Sequence, residues 1–558
     1  MRSGPSPTPS GRGMRAFSEP LSPLDAMFLY LESPRTPMHA GSVAIFEGSA
    51  FKHGDGVVRI QDIRDEIGRR LDLVPKLRRR VRFPRIGQGG PIWVDDSAFD
   101  IAHHVRHIAL PAPGTETELL ELSAELLAVP LDRAHPLWEL WFVEGLEGGR
   151  MGLVEKVHHA LADGLASVEL ATVLLDFESH PAPSEAPASP PWRSRPEPRE
   201  VTVVARDLVR RGTAPMRTGL SLLGSLGHPV RSIRRATEVT RAVGTLATPR
   251  TMAPRSSLNV AVSQGRRVAF VRQALEPLKG VEKSFGVTIN DVLLAAVSGG
   301  LRAQLIGRGE TIAGVTLQAL VPVGLDRHGD HRLGNKVSAI IVRLPLDEAD
   351  PVARLVAVSQ ATGRCKERRQ ALVGGYITRA LDPWPRSILA GGAHLVHRQR
   401  LANLVITNVP GPPIPLYSMG ARMLEAFPIV PLAGNLSLSV AAFSYDGQLS
   451  IGILADRDRC PDVEVLVHGI GTSFAELVAA AGEGTVESDP HPAATPKPSP
   501  THDVLSGRRQ WTPAVDHGTV PSHAVVRQGR THAKSSNQGG GRTRVQRPPP
   551  QGLPSQGH

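Results

Sequence analysis

Residues 158–164 read His158-His159-Ala160-Leu161-Ala162-Asp163-Gly164. Two adjacent histidines supply a group that titrates near neutrality, and the aspartate four residues on supplies a carboxylate able to hold a turn. The closing glycine lets the chain bend sharply. An alcohol is a poor nucleophile at pH 7, so its attack on an acyl carbon requires removal of its proton as the bond forms. A histidine with a free ring nitrogen is the usual base for that step. The pair predicts that one ring faces a substrate while the other points into the fold. His159 and Asp163 also stand at the i, i+4 spacing of helical metal ligands. No nearby Cys, His or Glu set completes a zinc site, so no metal is expected.

Outward from the motif, residues 150–157 (RMGLVEKV) predict a strand running into the histidines. Leu165, Val168, Ala171, Leu174 and Leu175 then recur at helical spacing. The motif therefore belongs at a strand-to-helix turn, where catalytic side chains are displayed above a rigid sheet. Further along, residues 287–301 predict a helix opened by Thr288 and Asn290, and residues 339–344, 404–407 and 449–454 predict strands. No internal repeat is present at solenoid periods.

The chain has 558 residues, too many for one core, with 41% hydrophobic and 21% charged residues, as in ordinary globular enzymes. Two cysteines, Cys365 and Cys460, form no disulfide framework and fit a reducing cytosol. The N-terminus is basic but has no apolar h-region, and the apolar runs near 220–226 and 292–301 are short. The expectation is a chain with neither secretory signal nor membrane span.

Composition divides the chain into a disordered tail over 1–20, a patterned block over 21–180 and a linker and connector over 181–254. A second patterned block covers 255–480, and a low-complexity, disordered tail covers 481–558. The net charge of +11 sits in the connector and the tails; residues 201–250 alone hold nine arginines against two acids. In that connector Val204, Leu208, Leu220, Leu223 and Leu226 alternate with arginines, the pattern of amphipathic helices with a basic face. Such a segment suits either an anionic lipid surface or a helical crossover packed on a domain. No nucleic-acid partner is expected.

The pattern HHxxxDG resembles the signature of the CoA-dependent acyltransferase superfamily. Its surroundings are similar to the bacterial wax ester synthase/acyl-CoA:diacylglycerol acyltransferase family. They comprise Leu21-Ser22-Pro23-Leu24-Asp25 with Phe28; Pro130-Leu131-Asp132-Arg133 leading to Pro136-Leu137-Trp138; and Asn290-Asp291-Val292. Val321-Pro322-Val323, Leu333-Gly334-Asn335, residues 407–412 (TNVPGP) and Ser444-Tyr445-Asp446-Gly447 complete the series. The likeness runs from about residue 20 to 480. Gly324, Thr407, Cys460 and the segment after Asn259 depart from the usual pattern, which touches substrate preference rather than activity.

The resemblance implies an α/β, two-lobed, chloramphenicol acetyltransferase-like fold with the active-site channel between the lobes. It implies transfer from a fatty acyl-CoA co-substrate to diacylglycerol or a long-chain alcohol, with no further cofactor. His159 would be the general base, His158 and Asp163 supporting groups and Gly164 a conformational one. Pro136, Leu137 and Trp138, with Asn290 and Asp291, would line the substrate channel. Trp138 also suits the core, Asn290 also suits a helix cap, and Pro410-Gly411-Pro412 reads first as a rigid turn. Transfer from carrier-protein thioesters, or an inactive lipid-binding protein, are the alternatives. Apolar substrates imply a cytoplasmic protein peripherally bound to the inner face of the plasma membrane or to lipid inclusions.

Overall fold

The computed structural model describes residues 17–84, 90–161, 171, 173–180, 192–205, 252–324, 337–367 and 399–483. Asp163, Gly164, Leu333-Gly334-Asn335, most of the basic connector and both tails beyond these limits lie outside the described residues.

A short strand β1 (Glu19–Pro20) leads into helix α1 (Pro23–Leu31). The Leu-Ser-Pro-Leu-Asp stretch is a helix start. Ser22 is the N-cap and accepts the Asp25 N–H at 3.1 Å, and Pro23 occupies the position where its missing N–H costs nothing. Then follow β2 (His39–Glu47), α2 (Ile60–Arg70), β3 (Arg79–Arg82), β4 (Ile92–Asp95), α3 (Ile101–His104) and β5 (Val105–Ala109). Helix α4 (Glu116–Ala128) precedes β6 (Trp138–Leu146) and β7 (Arg150–His158). The expected strand over 150–157 is β7.

The second half holds β8 (Arg266–Ala274), α5 (Leu275–Phe285), α6 (Ile289–Gly307), β9 (Thr316–Gly324), β10 (Val337–Pro345) and α7 (Pro351–Glu367). After these come β11 (Leu404–Pro410), β12 (Tyr417–Ser418), β13 (Ala421–Ile429), β14 (Leu438–Tyr445), β15 (Gln448–Asp456) and α8 (Val463–Glu483). The strands expected over 339–344, 404–407 and 449–454 fall within β10, β11 and β15, and the helix expected over 287–301 is α6.

Two six-stranded sheets organise the chain. The second has the order β10-β9-β11-β14-β15-β8, and its core is built with α5 to α8. The first has the order β12-β13-β2-β7-β6-β5. The sheets thus depart from the sequence blocks, because β12 and β13 come from the second half yet extend the first sheet. Strand β13 pairs antiparallel with β2, Phe427 opposite Val43 and Ile429 opposite Gly41.

Alternation along the strands gives the first sheet two apolar faces. Ala44, Phe46, Leu140, Phe142, Met151, Leu153 and Val157 join α1 and α2 on one side. Val43, Ile45, Val143, Val154, Phe427 and Ile429 join α4 and residues Val268, Phe270 and Leu454 of the second sheet on the other. Phe270 and Phe427 stack with centroids 3.8 Å apart. Strand β7 is buried on both faces even though it carries Lys156, whose ammonium donates to the Val129 carbonyl at 3.0 Å and to the Glu139 carboxylate at 3.3 Å.

The Ser444-Tyr445-Asp446-Gly447 motif closes the β14–β15 hairpin. Asp446 and Gly447 both have positive φ, 44° and 79°, the pattern of a I′ turn that matches strand twist. The buried Tyr445 hydroxyl accepts the Leu416 N–H at 2.8 Å and donates to the Met423 carbonyl at 2.9 Å. It therefore ties both arms of the β12–β13 hairpin, which belongs to the first sheet, to the end of β14 in the second.

One described helical stretch, Val463–Gly482, is long and apolar enough by length and composition to cross a membrane, which the sequence reading overlooked. Its Val463, Leu466, Ile470, Phe474 and Leu477 recur every three or four residues and are fully buried against the second-lobe core. Gly300 of α6 makes that packing close: a Cβ there would lie 2.6 Å from the Ile470 side chain.

Candidate active site

Strand β7 ends on His158, and the chain turns immediately. The Leu161 N–H donates to the His158 carbonyl at 2.8 Å, while Ala160 and Leu161 are fully buried in the first-lobe core. This anchoring divides the histidine pair. The His158 ring has no exposed surface, whereas His159 retains some. His158 is therefore the inward member of the pair.

The Ala160 N–H donates to His158 Nδ1 at 3.0 Å, so the ring's proton belongs on Nε2. That nitrogen lies 3.3 Å from Glu32 Oε1, a close polar contact rather than a well-aligned hydrogen bond. Glu32 is the C-cap residue of α1, with its carboxylate almost wholly enclosed. Its Oε1 also accepts the Met38 N–H at 3.1 Å, and its Oε2 accepts two bonds from Arg133, Nε at 3.1 Å and Nη2 at 2.8 Å. Burial pushes the carboxyl pKa up, but the His158 contact, then Arg133 and the Met38 amide, overcome it and hold the group at about 2. The carboxylate is charged throughout the working pH range.

The Met38 carbonyl accepts the His159 N–H at 2.8 Å. The His159 ring stacks on Phe28 of α1, centroids 4.7 Å apart and planes 16° apart. Among the described residues, neither His159 ring nitrogen has a hydrogen-bond partner. Burial first, and the neighbouring His158 second, lower its imidazole from the ordinary 6.5 to about 4. At pH 7 the ring is neutral and able to accept a proton.

His39, at the start of β2, stands opposite His158 in the ladder. Its Nε2 donates to the Leu127 carbonyl at 3.0 Å, and burial followed by the Lys156 charge lower its pKa well below 6.5.

The other expected site residues take structural positions. Pro136 and Leu137 are buried beside the motif, with the Leu137 carbonyl accepting the His158 N–H at 3.0 Å. Trp138 is fully buried in the first-lobe core, its indole N–H donating to Leu77 O at 2.7 Å and its ring stacking on His104. Thr288, not Asn290, caps α6. Asp291 completes the capping box, receiving the Thr288 N–H at 3.0 Å, and also accepts from the Thr362 hydroxyl at 2.6 Å. Asn290 lies in the first turn, half-buried. Pro410-Gly411-Pro412 forms no turn: Pro410 ends β11, the Gly411 N–H donates to Ser444 O at 2.9 Å, and a Cβ at Gly411 would strike the Phe443 ring.

Sequence reasoning missed Glu32. Its signal was one acid ending the apolar helix run 26–31, six residues before Met38-His39.

The two-lobed α/β arrangement, with a histidine pair ending a central strand, defines a chloramphenicol acetyltransferase-like fold. The solved wax ester synthase/diacylglycerol acyltransferase from Marinobacter aquaeolei VT8 matches it with a TM-score of 0.59 and 26% identity, over 83% of this chain and 100% of that one. The wax ester synthase/diacylglycerol acyltransferase catalytic domain model matches residues 21–293, and the family's C-terminal domain model matches residues 333–478. The chain belongs to the wax ester synthase/diacylglycerol acyltransferase family. Two similar proteins of Mycobacterium tuberculosis are named as probable diacylglycerol O-acyltransferases, tgs1 and tgs2. The first is 35% identical, over 82% of this chain and 96% of its own length. The second is 31% identical, over 83% and 99%.

Proposed function

We propose that the protein transfers the acyl group of a fatty acyl-CoA to the hydroxyl of diacylglycerol, and of long-chain alcohols, with His159 as general base. The observation that carries this reading is the His159 imidazole: neutral, stacked on Phe28, and retaining accessible surface at the end of a rigid central strand. Its unprotonated nitrogen takes the acceptor's proton as the oxygen attacks the thioester carbonyl. The tetrahedral intermediate collapses with breakage of the C–S bond, and the imidazolium returns the proton to the departing sulfur. The products are an ester and free CoA, so no redox partner is required. Asp163 and Gly164 complete the motif beyond the described residues, with Asp163 assigned to holding the turn.

Both lipid substrates partition into apolar phases, which supports work at a membrane or lipid-inclusion surface. Arg231, Arg234, Arg235 and Arg241, the candidate contacts with anionic lipid, lie outside the described residues. Replacing them with glutamine weakens binding to anionic vesicles under this reading; unchanged partitioning rejects that surface.

The deciding assay supplies palmitoyl-CoA with dioleoylglycerol or hexadecanol and measures the ester formed. His159→Ala abolishes turnover while the circular dichroism spectrum stays native. Full activity in that variant eliminates His159 as the base.

A further inference from the structure

We propose that Glu32, charge-balanced by Arg133, is the positioning residue of the active-site turn, holding both histidines at once. Its carboxylate reaches His158 through the ring, with Oε1 3.3 Å from Nε2. It reaches His159 through the backbone: the Met38 peptide donates its N–H to Glu32 and accepts the His159 N–H on its carbonyl. It is also joined to the residue under the base, because the Glu32 N–H donates to the Phe28 carbonyl at 3.1 Å. Three segments distant in sequence, the end of α1, the start of β2 and the end of β7, thus meet at one side chain.

Arg133 makes that carboxylate tenable. A buried carboxylate without a cation is costly, whereas a two-nitrogen contact from a guanidinium offsets much of the desolvation. Arg133 Nη2 also donates to the Leu29 carbonyl at 2.8 Å, tying the 132–135 loop to α1. The His158 tautomer follows from the same set. With Nδ1 accepting from Ala160, the Nε2 proton faces Glu32, and the carboxylate favours that tautomer over its alternative. Glu32 does not face the substrate; it fixes where the His159 ring stands and keeps His158 from turning.

This inference rests on His159 being the base, so its test includes a reading that does not depend on turnover. In the purified full-length protein, Glu32→Gln preserves the side chain's size and its ability to accept from Met38 but removes the charge. The expected result is a fall in kcat of about 30-fold, with KM for palmitoyl-CoA and dioleoylglycerol within about twofold. In ¹⁵N-histidine NMR, the His158 signals are identified by their loss in His158→Gln. They show a single Nε2–H tautomer in the wild type and a mixture in Glu32→Gln. If Glu32→Gln does not fold, Arg133→Gln serves in its place, since that side chain is about one third exposed. It lowers kcat by about fivefold at constant KM. An unchanged kcat, or a loss confined to KM, overturns the assignment, as does an unchanged tautomer in Glu32→Gln. Should the wild type fail to turn over these substrates, the functional reading fails alone and the tautomer decides the positioning role.

Discussion

The ring of Phe28 lies nearly parallel to that of His159, 4.7 Å away between centroids. The stack closes one face of the imidazole and restricts its rotation. It also offers a π face to the imidazolium that the proposed mechanism forms on His159, a contact of about 0.5–1 kcal/mol or more once desolvated. Phe28→Leu is expected to lower kcat about tenfold, equivalent to about 1.4 kcal/mol of barrier, with the thermal midpoint little changed. Steady-state kinetics with palmitoyl-CoA checks this, and an unaltered kcat leaves the stack without a catalytic part.

With His159 as the proposed base, its lowered pKa is expected to set the acid side of the activity profile. A base of ordinary pKa would lose activity as pH falls through 6.5; one at about 4 keeps it. The kcat/KM profile is expected to be flat between pH 6 and 8, with its acid limb below pH 5. The same shift opposes folding in acid. The unfolded imidazole takes a proton near 6.5 and the folded one only near 4, so stability falls as pH drops across that window. An acid limb centred between pH 6 and 7 contradicts this placement.

Trp138 separates a core residue from a channel residue. Its complete burial and its indole bond to Leu77 O predict that Trp138→Ala costs about 3–5 kcal/mol of stability. Trp138→Phe keeps most of the packing but leaves the Leu77 carbonyl unpaired, for about 1–3 kcal/mol. Denaturant unfolding measures both. The acyl chain-length preference of Trp138→Phe is expected to match the wild type, and a shifted preference restores the channel assignment.

Tyr445→Phe removes one hydroxyl and leaves the Leu416 N–H and the Met423 carbonyl without it. The expected loss is about 1–3 kcal/mol. Hydrogen exchange should rise selectively at residues 416–423; a uniform rise across both sheets would show that the tyrosine does not act locally.

Local signals were legible in the sequence wherever chain neighbours set the structure. Strand β7 and helix α6 followed from spacing and composition. The burial of His158 was foreshadowed as well, because Ala160 and Leu161 are apolar enough to bury one side of the turn. The Glu32 constellation was not legible, since its parts come from residues 32, 38, 133 and 158 and meet only through the fold. The same distance hid the strand exchange: nothing in residues 421–429 states which of two sheets they will join. The long apolar helix α8 was hidden by polar residues scattered within it.

Strand β13 dictates how this protein can be made and divided. Strand β2 leaves the ribosome about 370 residues before its neighbour β13, so the rim of the first sheet stays bare through much of synthesis. Cutting the gene at the proline-rich linker would make that condition permanent in the N-terminal product. A bare strand rim recruits other chains, so such a fragment is expected to precipitate rather than act as a minimal acyltransferase. The halves of this protein are a description of its shape, not a set of separable parts.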